Sequence, residues 1–134
     1  MSLKSEDYEA LGTFRYAMRK FLRFSKEVLA GAKLTPEQYE ALLAIKGRAE
    51  SASINVGDLS ERLQVKHHTA VNLIDKLAAR KLVARKRSTE DRRQVNIKLT
   101  GRGNSVLMKL AAIHRQEMRQ RSSEMIEALR RLQK

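Results

Sequence analysis

This 134-residue chain has no cysteine and no tryptophan. The missing cysteine rules out disulfides, thiolate metal sites and thiol-based redox switching, and it fits a reducing compartment, with the cytosol as the expected location. Aromatic residues make up only 4% of the chain, too few to supply the stacking platforms that single-strand nucleic-acid binders use. No apolar run approaches the roughly 20 residues of a membrane span, and nothing resembles a signal peptide. The constellations of catalysis are also missing: there is no nucleophile with its base, no paired carboxylates and no glycine-rich phosphate loop. Adjacent His67 and His68 invite a metal reading, but with no cysteine, no carboxylate within a turn and only a distant His114, it finds no support, and neither metal nor cofactor is expected.

Acids are the minority charge. Fifteen of them face 28 lysines and arginines, giving a formal net charge of +13 and a pI near 10.5, so polyanions are the natural partners. The hydrophobic fraction of 42% is enough for the core of one domain. Charge is also concentrated. Between Arg62 and Arg102 twelve basic residues stand against three acids, a net +9 in less than a third of the chain. A merely solvated surface would spread its charge more evenly, and clustering of this degree is the footprint of phosphate contact.

Periodicity gives the order of elements. Leu11, Phe14, Met18, Phe21, Leu22, Val28 and Leu29 recur at helical spacing from about Ser5 to Ala30, with Gly31 as a stop. Thr35-Pro36-Glu37-Gln38 combines a Thr cap, a first-turn proline and a Gln three residues after the cap. The helix that it opens carries Tyr39, Leu42, Leu43 and Ile45 to about Arg48, and residues 49–53 read as a loop. Asn55-Val56-Gly57-Asp58 caps a short helix through Leu59 and Leu63. After a turn at Gln64-Val65-Lys66, a helix runs from about His67 to Arg80 with Ala70, Leu73, Ile74 and Leu77 on one face. From Thr100 Val106, Leu107, Leu110, Ile113 and Met118 mark another helix. Ser122 or Ser123 offers a cap for a separate last helix carrying Met125 or Ile126, Leu129 and Leu132.

Two strand-like runs lie between these helices, Leu82–Arg87 and Val95–Leu99, the latter alternating with period two, joined by the turn-forming Ser88, Thr89, Glu90 and Asp91. Two short helices with a tight turn, followed by such a hairpin, give the order of a winged helix-turn-helix. The second of those helices would be about 20 Å long and can lie in a major groove about 12 Å wide. With its apolar face inward, His68, Thr69, Asn72 and Lys76 point outward, with Lys66 and His67 at its start. Asn can pair bidentately with adenine. Arg85, Lys86, Arg87, Arg92 and Arg93 place cations on the hairpin.

Over nearly its whole length the chain resembles the MarR family of bacterial transcription regulators. The most specific likeness is Asp91-x-Arg93 followed six residues later by Leu99-Thr100, which is similar to that family's wing and the start of its next helix. Val65 to Leu77 aligns with the recognition helix, and Leu82-Val83 follows where the family has Gly-Leu-Val, the Gly replaced by Lys81. The resemblance implies a mainly α (α+β) fold: a winged helix-turn-helix with a two-stranded β wing and long N- and C-terminal dimerisation helices. Residues 1–134 would form one domain, with the DNA-binding lobe over 35–100 and the dimerisation region over 1–34 and 101–134. It further implies that Asp91 fixes the wing turn while Arg92 or Arg93 enters the minor groove. Leu11, Phe14, Met18, Phe21, Ile113, Met118, Ile126 and Leu129 would interlock two copies on a pseudo-palindromic duplex, and a small aromatic or anionic effector would bind in a cleft beside the dimer helices. A non-specific nucleic-acid-associated or helical protein-interaction module is the alternative reading.

Overall fold

The computed structural model describes residues 2–48, 54–87 and 94–134. In chain order its elements are α1 (Ser5–Gly31), α2 (Pro36–Arg48), β1 (Ile54–Asn55), α3 (Val56–Leu63), α4 (His67–Ala79), β2 (Val83–Arg87), β3 (Val95–Leu99) and α5 (Gly101–Leu132). They form a mainly helical winged helix-turn-helix that divides into two compact units: Lys33–Lys109, and Met1–Ala32 with Leu110–Lys134.

In the unit Lys33–Lys109, local side-chain bonds set where the helices begin. The Gln38 amide N–H donates to Thr35 Oγ1 at 3.1 Å, while Gln38 Oε1 accepts from the Thr35 N–H at 3.0 Å. This closes the reciprocal box that the sequence suggests at the start of α2. Asn55 and Asp58 repeat the device on α3, with Asn55 Oδ1 accepting from the Asp58 N–H at 2.8 Å. Gln64 ends α3 in the left-handed region (φ 56°), which makes the reversal between α3 and α4 tight. Leu42, Ile45, Leu59, Ile74 and Leu77 from the three helices are fully buried. Truncating any one of them to Ala would cost about 2–5 kcal/mol. Leu43, read from the sequence as part of this face, is 41% exposed.

The sheet has three antiparallel strands in the order β1-β3-β2, where the hairpin pattern suggests two. The extra strand pairs Ile54 with Ile97 and Asn55 with Asn96, and both isoleucines are buried. Two residues are too few to show a period, and Asn55 carries the stronger signal of a helix cap, so β1 leaves no trace in the sequence pattern.

In the other unit, α1 buries Ala10, Ala17, Ser25 and Leu29, and α5 contributes the buried Leu110, His114 and Ala128. The Leu110 carbonyl, which can only accept, lies 2.7 Å from His114 Nδ1, so that nitrogen carries the proton, and in the neutral ring Nε2 accepts from Ser25 Oγ at 2.8 Å. The sequence expectation of a separate last helix is corrected here. α5 continues unbroken to Leu132 because the Ser122 hydroxyl bonds back to the Arg119 carbonyl at 3.3 Å instead of capping a new start. Arg121 also pairs with Glu117 across the same turns. No helix among the described residues is long and apolar enough to cross a membrane.

Candidate nucleic-acid interface

α4 divides its two faces as its period requires. Ala70, Leu73, Ile74 and Leu77 are buried, whereas Lys66, His67, His68, Asn72 and Lys76 are exposed and Thr69 is half-buried. Lys66 occupies the cap position in extended conformation, and its side chain makes no capping bond. No acid stands in the first turn. Cations at the positive end of a helix dipole lose roughly 0.3–1 kcal/mol each at an exposed site. An acid in that turn would stabilise the helix start, and none is present.

The far end of α4 holds the hairpin in place. The Lys81 N–H donates to the Ala78 carbonyl at 2.9 Å and the Leu82 N–H to the Leu77 carbonyl at 3.0 Å. These are the paired bonds of a Schellman stop, with Lys81 at φ 60° in the position that glycine usually takes. Thr100 then ties this turn to α5. Its hydroxyl donates to the Lys81 carbonyl at 2.6 Å and accepts from the Gly103 N–H at 3.0 Å, while its own N–H donates to the Leu82 carbonyl at 3.1 Å. Arg80 Nη1 donates to the Lys33 carbonyl at 2.6 Å.

In the hairpin, Val83 pairs with Leu99, Arg85 with Ile97 and Arg87 with Val95, so these side chains share one face of the ladder. Ala84, Lys86, Asn96 and Lys98 share the other. Arg85, Lys86, Arg87 and Lys98 are all exposed, and the Arg85 guanidinium donates to Asp75 Oδ1 on α4. Asp91, Arg92 and Arg93 lie outside the described residues, as does the loop assigned to 49–53.

Of the side chains assigned to dimerisation, Leu11, Ile113, Ile126 and Leu129 are each 44–47% exposed, and Phe14, Met18, Phe21 and Met118 are half-buried. Along α1, Arg15, Met18, Arg19, Leu22, Arg23 and Lys26 line an open groove of about 440 Å³. Sequence reasoning missed the Thr100 clamp, the Asp75–Arg85 pair and the Arg80 contact. The first had a visible signal in Thr100-x-x-Gly103, but the other two depend on tertiary geometry.

Residues 32–94 match the model of the MarR family. The HTH-type transcriptional repressor MdtR of Bacillus subtilis (strain 168) is 32% identical over 71 residues, and the match spans 53% of this chain but only 44% of that protein's length. Among solved structures, MepR, a transcription regulator of the Staphylococcus aureus multidrug efflux pump MepA, superposes with a TM-score of 0.74 at 22% identity, covering 83% of this chain and 80% of the other. The S. aureus MepR–DNA complex gives a TM-score of 0.71 at 23% identity with the same coverage. At these identities the structural likeness is one of fold.

Proposed function

We propose that this protein is a sequence-specific, double-stranded-DNA-binding transcriptional regulator of the MarR type, a reading supported by the match of residues 32–94 to the model of that family. It acts in the cytosol as a homodimeric repressor on a pseudo-palindromic site. The observation that carries the reading is the outward row of His68, Asn72 and Lys76 on a helix anchored by its buried face, beside a hairpin bearing Lys86, Arg87 and Lys98. The helix presents hydrogen-bonding groups of the kind that read base edges, and the hairpin presents cations of the kind that hold phosphates. By resemblance, Lys66, His67 and Thr69 add contacts near the helix start, and Arg92 or Arg93 enters the minor groove from a turn set by Asp91.

Exposed Leu11, Ile113, Ile126 and Leu129 support pairing of two copies. A two-fold dimer would set its recognition helices about 34 Å apart, one turn of duplex. The basic groove of α1, with Met18 and Leu22 between its cations, suits a small aromatic anion as effector. Such a ligand would act by favouring a dimer geometry that no longer fits the site.

The test is selection of bound fragments from genomic DNA, followed by competition with random duplex. Retention of one motif by a factor of about a thousand or more supports the reading. Complete displacement by random duplex at physiological salt would overturn it in favour of a non-specific module.

A further inference from the structure

Asp75 is the only acid on α4. It stands three residues after Asn72 and seven after His68, so the helical repeat puts it on the face assigned to base reading. Its side chain is more than half exposed. A bare carboxylate in that place would repel the phosphate walls of the groove that the helix must enter. Arg85, ten residues later on β2, meets it instead.

The pleat explains why Arg85 is the residue that reaches. Side chains two apart on a strand share a face, so Arg85 lies on the side of the buried Val83, and its cross-strand partner is the buried Ile97. Lys86, one residue on, takes the opposite side. Neighbouring cations of the same strand are therefore turned to different tasks.

We propose that Arg85 is a positioning residue for DNA recognition, not a phosphate contact: it neutralises Asp75 and ties the root of the wing to the base-reading face of α4. Helix and hairpin then approach adjacent grooves in a fixed relation, and the carboxylate's repulsion is cancelled before DNA arrives. This rests on the DNA-binding reading above.

The experiment titrates wild type, Arg85→Gln, Asp75→Asn, their double variant and Lys86→Gln against a duplex recovered by selection with the wild-type protein, across a range of salt concentrations. Circular dichroism monitors folding. Arg85→Gln and Asp75→Asn should each weaken binding about twofold to fivefold, the range a partly exposed ion pair can supply. The double variant should be no weaker than the worse single one. The slope of log affinity against log salt should stay at the wild-type value for Arg85→Gln and fall by roughly 0.9 for Lys86→Gln, the signature of one lost phosphate contact. A slope that falls in Arg85→Gln, together with tighter binding by Asp75→Asn, would make Arg85 a phosphate contact and overturn the proposal. Wild-type affinity in both single variants would overturn it as well. If wild type itself shows no preference among duplexes, the regulator reading fails and this inference with it, an outcome visible before any variant is compared.

Discussion

Gly103→Ala should destabilise the protein, although helix propensity alone argues the opposite. Gly103 lies in the first turn of α5, and alanine is favoured over glycine in a helix interior by about 0.8–1.0 kcal/mol. A Cβ at this position, however, would stand 2.0 Å from the Leu82 carbonyl oxygen and 3.0 Å from its carbon. Both are main-chain atoms and cannot rotate aside. The same carbonyl accepts the Thr100 N–H at 3.1 Å, and Thr100 caps Gly103 itself, so moving α5 away breaks the clamp that relieves no other strain.

Overpacking of this kind costs about 1–3 kcal/mol, and each clamp bond lost adds about 0.5–1.5 kcal/mol. With the two bonds from Thr100 to the Lys81 and Leu82 carbonyls lost, subtracting the propensity gain leaves a net loss of about 1–5 kcal/mol. Urea unfolding followed by circular dichroism should show a lower midpoint with an unchanged m-value. Gly47→Ala provides the control, since a Cβ there meets nothing within 4 Å, and it should unfold at or slightly above the wild-type midpoint. Equal or greater stability of Gly103→Ala would refute the argument, because it would show that Leu82 and α5 do not hold each other at this distance.

Other perturbations follow from the same geometry. Lys81→Gly removes the cost of a side chain at φ 60° and, after allowing for glycine's larger unfolded-state entropy, should stabilise by about 0.5–1 kcal/mol in the same assay; a loss of stability would mean that Lys81 makes a contact outweighing that strain. Partial desolvation, and then the Glu37 charge, shift the carboxyl of the largely exposed Glu40 upward from its ordinary value, so its protonated form is favoured in the folded state, and the resulting stability is full in acid and lost as pH rises through the folded value. Glu40→Gln should therefore raise the melting temperature at pH 7 relative to wild type, and that advantage should vanish in acid below the ordinary carboxylate range; an advantage independent of pH would point to packing instead. On the homodimer proposed above, paired Ile126→Glu and Leu129→Glu replacements should shift sedimentation from dimer to monomer with helix content retained; a wild-type monomer would refute the dimer itself, and a dimer unchanged by the replacements would place its interface elsewhere.

The parts of this fold that could be read from sequence are those in which the signal and its effect lie within one turn of chain. Thr35 with Gln38, and Asn55 with Asp58, announce their helices because cap and partner are three residues apart. The buried face of α4 follows from its period, since Ala70, Leu73, Ile74 and Leu77 can meet the core only together. The break assigned near Ser122 shows the converse. Serine favours a helix start only when its hydroxyl turns to the following amides, and here it bonds the carbonyl of Arg119 behind it.

The candidate site was legible as a surface but not as a division of labour. Composition counts Arg85, Lys86 and Arg87 alike, and the +9 cluster makes each a contender for phosphate. The pleat separates Lys86 from Arg85 and Arg87, and the contact with Asp75 of α4 separates Arg85 from Arg87; neither exists until β2 has paired with β3 and α4 has docked. Lys81 makes the same point for the backbone. The missing glycine is visible in sequence, but the paired bonds at Ala78 and Leu77 hold the left-handed turn in place, and Thr100 binds its carbonyl from beyond the hairpin. A turn held from both sides tolerates a lysine that would be a poor choice for starting it. Replacing Lys81 or Gly103 alone therefore probes the clamp as a whole, and under the proposed function the angle between α4 and the hairpin depends on that clamp as much as on the exposed side chains of α4.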